Sequence, residues 1–325
     1  MTMLIALPPP LRLRVRVPVE PAGRMAWTRN GDRVIVPGAG ETAIVETASG
    51  AIVERWPHAY TAFACNRDDS QVAAANARGY VDLWRFGRAR PGEPTSRHAG
   101  RITALAFSDD DRRLFSAGDD GRVGIWRAAT LDAAFFPVGG RAHDLGLDGG
   151  RDLVAVAAGR SGVVLVDGTS GARRGGVRPP DRATAVAWAG ELLLVGTREG
   201  QLAAYDRERL EPARATAALG IGAIVQLVPL GDGVVVEGTE ALACVEAATG
   251  AVRWRWPHGA AVAGGSLAVH AGQSSLAIAV PAAMSILDVE PAPAATAEPA
   301  EVADAAEVLA LHHPGDGALA GAVID

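Results

Sequence analysis

The sequence contains no lysine. All 31 of its cationic side chains are arginine. Schiff-base lysine chemistry and a phosphate-loop lysine are thereby excluded. A GC-rich, bacterial source is the simplest expectation for so one-sided a choice of cation. Cysteine is almost as scarce. Cys65 and Cys244 lie 179 positions apart, each inside an apolar run, and read as two buried free thiols in a reducing compartment. A basic excess is also missing. The net charge is −6 and the pI about 5.7, which argues against nucleic acid as a partner, because phosphate neutralisation needs a basic surface. No uninterrupted apolar run reaches the roughly 18 residues of a membrane span. The opening MTMLIALPPPLRLRVRV has no cation ahead of a short apolar run that PPP interrupts, unlike a secretory signal. The expected location is the cytoplasm.

Catalytic patterns are lacking as well. There is no His-x-x-x-His pair, no Cys-x-x-Cys, no Gly-rich phosphate loop and no nucleophile elbow. His312 and His313 are adjacent and face opposite sides of a strand. The acidic run 109–111 sits where a turn is needed and reads as solvated turn. The expectation is a protein that is not an enzyme, with no cofactor and no metal.

What is abundant is a pattern. ASGAIVERWPH at 48–58 returns as ATGAVRWRWPH at 248–258, 200 positions later. Short β-branched strands bounded by Gly and Asp turns recur between them. Val45, Trp84, Trp126, Val166, Tyr205, Val245 and Leu287 end equivalent strands, at spacings of 39, 42, 40, 39, 40 and 42. A period of about 40–45 with four short strands predicts a β-propeller. The twin strings are then five repeats apart.

The clearest unit, RHAGRITALAFSDDDRRLFSAGDDGRVGIWR at 97–127, resembles a WD-repeat. The resemblance implies a hydrogen-bonded structural tetrad of His98, Ser116, Asp120 and Trp126. Other repeats depart from it: the Asp slot holds Arg78 in one and Arg160 in another, so the array is degenerate. AATGAVRWRW is similar to a repeat of quinoprotein propellers, with Gly250 followed by Trp254. Its twin carries Glu54 at that place, and Trp254 and Trp256 share one strand face, so packing between blades is the simpler expectation.

The predicted fold is all-β: one propeller of four-stranded blades over 1–325. Eight blades are favoured. Residues 301–325 would supply two strands and residues 3–17 the other two of a closing blade, eight repeats of about 40 making about 320. The Pro/Ala-rich linker 291–300 would then have to provide the seventh blade's outer strand. Seven blades are the alternative, with 11–17 as that outer strand.

The predicted function is a non-catalytic protein-interaction scaffold or adaptor, a subunit of a larger bacterial assembly. Analogy with stand-alone bacterial propellers points to assemblies built around an ATPase or a protease. A quinoprotein-like enzyme and a small-ligand sensor at the channel mouth are the alternatives. The expected partners are proteins, with neither nucleic acid nor membrane. In register, Arg101, Arg141 and Arg182 open three successive first strands, and Arg78, Arg160 and Arg198 stand in the loops between second and third strands. These six form a candidate face for an acidic partner surface.

Overall fold

In the computed structural model, residues 5–6, 10–87, 96–257, 267–280, 283–290 and 308–309 are described. Seven antiparallel sheets follow one another along the chain. The first blade is Ala26–Trp27, Arg33–Pro37, Thr42–Glu46 and Ile52–Trp56. The second has three described strands, Ala62–Cys65, Val72–Ala75 and Val81–Trp84. The third is Ile102–Phe107, Arg113–Gly118, Arg122–Arg127 and Ala133–Pro137. The fourth is Asp144–Asp148, Leu153–Ala157, Val163–Asp167 and Arg173–Val177. The fifth is Ala183–Ala189, Leu192–Thr197, Gln201–Asp206 and Ala217–Ala218. The sixth is Ile224–Leu230, Gly233–Gly238, Leu242–Glu246 and Val252–Trp256.

The seventh blade corrects the favoured count of eight. Its strands Ala268–His270, Ser275–Val280 and Ala283–Val289 are completed on the outside by Leu11–Val17. Leu11 faces Val289 and Val17 faces Met284 across the ladder. The physical reason lies in the two candidate strands. Residues 291–300 carry three prolines, which lack the N–H a ladder needs. LRLRVRV has the alternation of a half-buried strand and burial to match, with Leu11 and Val17 inside and Arg12 exposed. Ile5–Ala6 pairs with Val308–Leu309 in a separate two-residue ladder. The rest of the proposed closing strands at 301–325, and the linker 291–300, lie outside the described residues.

Val45, Trp84, Trp126, Val166, Tyr205, Val245 and Leu287 all hold one ladder position. They face Val34, Val72, Leu114, Val154, Leu193, Val234 and Leu276 respectively. Each is buried between sheets. The core is a series of inter-blade layers of this kind, built from β-branched residues, Leu and Ala on facing sheets.

Polar groups join the blades as well. Thr61, Thr103 and Thr184 open three innermost strands. Each hydroxyl lies within hydrogen-bond distance of a carbonyl in its own blade and of one in the next: Ala75 and Ile102, Ala117 and Ala142, Gly196 and Ile224. On the opposite rim, Asp69 accepts the backbone N–H groups of Arg29 and Asn30, and Asp111 accepts that of Arg67. Each grips the preceding blade's turn. The acidic run is therefore more than solvated turn: Asp110 caps its own hairpin through Ser108 and Arg112, and Asp111 clasps a neighbour.

The twin strings build one turn twice. In each, the glycine N–H donates to a glutamate carbonyl, Gly50 to Glu46 and Gly250 to Glu246, both at 2.9 Å. Trp56 then packs toward the second blade, stacked on Trp84 at 4.6 Å and 8°. Trp256 packs toward the seventh, in a cluster with Leu11, Leu276 and Leu287.

Candidate functional site

The tetrad residues come from four segments of the third blade and meet in its interior. Trp126 Nε1–H donates to Ser116 Oγ at 2.7 Å, and Ser116 Oγ lies 2.6 Å from His98 Nε2. His98 Nδ1 lies 2.9 and 3.0 Å from the two Asp120 oxygens. Asp120 also accepts the backbone N–H groups of Ala99 and Arg122. One proton arrangement satisfies every atom. Trp126 gives to Ser116, Ser116 gives to a neutral imidazole, and the imidazole gives to the carboxylate. Burial lowers the His98 pKa, and Asp120 only partly offsets it. Asp120 is raised by burial but held below the usual carboxylate range by the His98 imidazole and the Ala99 N–H. His98, Ser116 and Trp126 have no solvent exposure, so no substrate reaches them. Gly118 has to be glycine here, because a Cβ would run into the His98 ring and the Asp120 carboxylate.

The second blade reaches a similar end by other means, which sequence comparison with the third missed. Ala74 stands where Ser116 would, and Asp82 where Gly124 would. Trp84 Nε1–H donates to Tyr60 Oη, and Tyr60 Oη–H donates to Asp82, both at 2.7 Å. Burial raises the Asp82 carboxyl.

The six arginines lie on one face, the one carrying the second-to-third-strand turns and the starts of the first strands. Its turns touch the neighbouring starts. Asp119 N–H donates to Arg101 O, Arg198 N–H to Arg182 O, and Gly159 and Ala183 exchange two bonds at 3.1 and 3.0 Å. Arg141 is held by Asp119 through two contacts of 2.6 and 3.0 Å. Arg78, Arg101, Arg160, Arg182 and Arg198 make no ion pair among the described residues. Of the other carboxylates beside them, Asp181 accepts the backbone N–H of Glu199. Arg160, Arg182 and Arg178 line a cleft of about 390 Å³ between the fourth and fifth blades.

Two charged residues lie at the starts of innermost strands, Asp144 on its strand and Arg24 just ahead of Ala26–Trp27. Arg24, at the start of the first blade, reaches across the axis to Asp144 of the fourth, with Nη1 2.6 Å from Oδ1. Its second Nη donates to Val225 O of the sixth blade at 3.0 Å. Asp144 also accepts Val186 N–H. Both side chains are mostly buried, at 14% and 5% exposure, and the strut spans the axis near the arginine face. No motif could signal it, since the partners are 120 residues apart.

Trp254 and Trp256 are buried between the sixth and seventh blades. Cys65 and Cys244 are free thiols, and burial pushes Cys65 up to about 12 and raises Cys244. Among the described residues, no cluster of three or more metal-ligating side chains is present and no helix is long and apolar enough to cross a membrane.

With this geometry in hand, comparison with known proteins is direct. The WD domain, G-beta repeat, matches residues 93–127, the segment that holds the tetrad. The fold is a seven-bladed β-propeller, and this one segment carries the match to the WD repeat. The structure superposes on that titled "Crystal structure of RRP9 WD40 repeats" with a TM-score of 0.74 and 13% identity, covering 89% of this chain and 100% of that one. "Structure of U3-55K" matches at 0.74 and 13%, covering 86% and 98%. At such identity the likeness speaks for the fold alone. A curated protein from Arabidopsis thaliana, "U3 small nucleolar RNA-associated protein 18 homolog", is 28% identical over 122 residues. That match spans 35% of this chain and 22% of the relative's own length.

Two expectations are corrected by this relative. Its name is that of a small nucleolar RNA-associated protein, which overturns both the exclusion of nucleic acid and the cytoplasmic assignment. The physical error was to let net charge stand for surface charge. A chain at −6 still gathers unpaired arginines on one face. A bacterial source finds no support either, since the relative is a plant protein.

Proposed function

We propose that this propeller is a non-catalytic docking ring, a protein-interaction scaffold within an RNA-containing assembly. The observation that carries the reading is the contrast between the axis and one face. The Arg24–Asp144 strut lies across the central channel of the ring, which disfavours the sensor reading. The polar chains of the third and second blades are buried and mutually satisfied, and serve packing. What remains open to a partner is the arc of Arg78, Arg101, Arg160, Arg182 and Arg198, with Arg141 beside them already paired to Asp119. Arginine suits bidentate contact with carboxylate or phosphate, and an arc of one sign steers association.

The RNA part of the proposal rests on the name of the Arabidopsis relative, and so does a nucleolar address in place of the cytoplasmic one. An ATPase- or protease-containing bacterial complex has no such support.

The test is sedimentation of the endogenous protein from native extract, with and without ribonuclease. A scaffold of this kind runs far above its own 33.4 kDa and shifts to smaller size after ribonuclease. A single peak at monomer size under both conditions contradicts the proposal.

A further inference from the structure

The cleft between the fourth and fifth blades is an open, polar-lined recess on the arginine face. Its walls are Arg160, Arg178 and Arg182, with Pro179, Pro180 and Asp181. The three cations come from two segments, Arg160 from one and Arg178 and Arg182 from the two ends of the other. Arg160 sits on the turn between Leu153–Ala157 and Val163–Asp167. Arg178 follows the outer strand Arg173–Val177, and Arg182 precedes Ala183–Ala189.

Backbone contacts hold these segments in place. Gly159 and Ala183 exchange two hydrogen bonds, which ties the Arg160 turn to the Arg182 strand. Gly162 packs so closely on the carbonyl of Val177 that a Cβ would overlap it, which ties the same turn to Arg178. Pro179 and Pro180 fix φ in the connection. The backbone of such a site gives up little conformational freedom on binding, and the cost that remains is the ordering of the three arginine side chains.

Three guanidinium groups and one carboxylate leave the recess at +2. None of the three arginines makes an ion pair among the described residues, whereas the neighbouring Arg141 is already closed by Asp119. Asp181 accepts the Glu199 N–H instead of an arginine. A charge of +2 matches a phosphomonoester, about −1.5 to −2 at neutral pH, better than a carboxylate or a single phosphodiester. No aromatic ring lines the recess, so it offers no stacking platform of the kind that holds single-stranded RNA.

We propose that this cleft binds the phosphate of a phosphorylated side chain on a partner protein, with Arg160, Arg178 and Arg182 as its ligands. The proposal rests on the scaffold reading and names the chemistry of one of its partners.

The test uses the full chain and a peptide library degenerate around a fixed phosphoserine, with its unphosphorylated counterpart and a labelled oligo-uridine of equal length. The expected result is at least about tenfold tighter binding of the phosphorylated pool, reversed by inorganic phosphate. Arg160→Glu and Arg182→Glu should each lose that preference, while Arg198→Glu on the neighbouring turn keeps it. Melting temperatures would confirm that the variants fold, and Arg160→Gln serves if the charge reversal does not. Equal binding of the two pools overturns the proposal. So does a preference that survives both reversals, or oligo-uridine bound through these arginines in place of phosphopeptide. The scaffold reading fails on a different result, a monomeric peak in native extract, so the two are separable.

Discussion

His98 shows how a residue that looks catalytic can be a strut. Its partners on both ring nitrogens are buried, and its lowered pKa keeps it neutral. Asp120→Ala removes the acceptor of the imidazole N–H and of the Ala99 N–H, and should cost about 1–3 kcal/mol by chemical denaturation. Loss of partner binding with full stability would contradict this structural role. The sign of the pH effect follows from the direction of the shift. An unfolded histidine gains its proton near about 6.5, while the folded one resists it. Stability carried by His98 is thus present above that value and lost as pH falls. The melting temperature should drop more steeply on acidification from about pH 7.5 to about 5 in the wild type than in His98→Gln. Parallel slopes in the two proteins would contradict the assignment. Raised pKa values at both cysteines predict slow alkylation of the folded chain at neutral pH, with both thiols reacting on unfolding.

At the scale of the element, the sequence was legible wherever pairing is local. The seven anchor residues fall on one ladder position because each terminates a hairpin of its own blade. The tetrad residues could be placed by number because 97–127 is the most regular repeat. The second blade's Tyr60–Asp82–Trp84 chain was not legible, since it solves the same packing problem with different residue types at shifted positions. The threonines of TAFAC, TALAF and TAVAW read as strand residues of no special note. Only the ring shows each bridging two blades. Thr103→Val keeps shape and removes both bonds, leaving the carbonyls of Ala117 and Ala142 with one partner fewer. A loss of about 1–2 kcal/mol is expected, and an unchanged denaturation midpoint would show that the bridge is dispensable.

For the whole molecule, what could not be read was closure. LRLRVRV pairs with a strand some 270 positions away, and its alternation suits the outer edge of a seventh or an eighth blade equally well. The Arg24–Asp144 strut has the same character, because it joins opposite blades that only ring geometry brings together. Arg24→Ala would leave a buried carboxylate without its counter-ion, and the expected loss is about 3–5 kcal/mol. Arg24→Ala combined with Asp144→Ala should recover part of it in a double-mutant cycle; strict additivity would mean that the two do not interact.

The account depends most on a seven-bladed ring closed by Leu11–Val17, since the arginine face and the axial strut are both laid out on that ring. Thermal melting of two truncations tests it directly. Removing residues 301–325 should leave a soluble protein with an unchanged melting temperature, and removing residues 1–17 should produce an unstable or aggregating one, with the seventh blade's edge exposed. Collapse on loss of 301–325, with 1–17 dispensable, would contradict it.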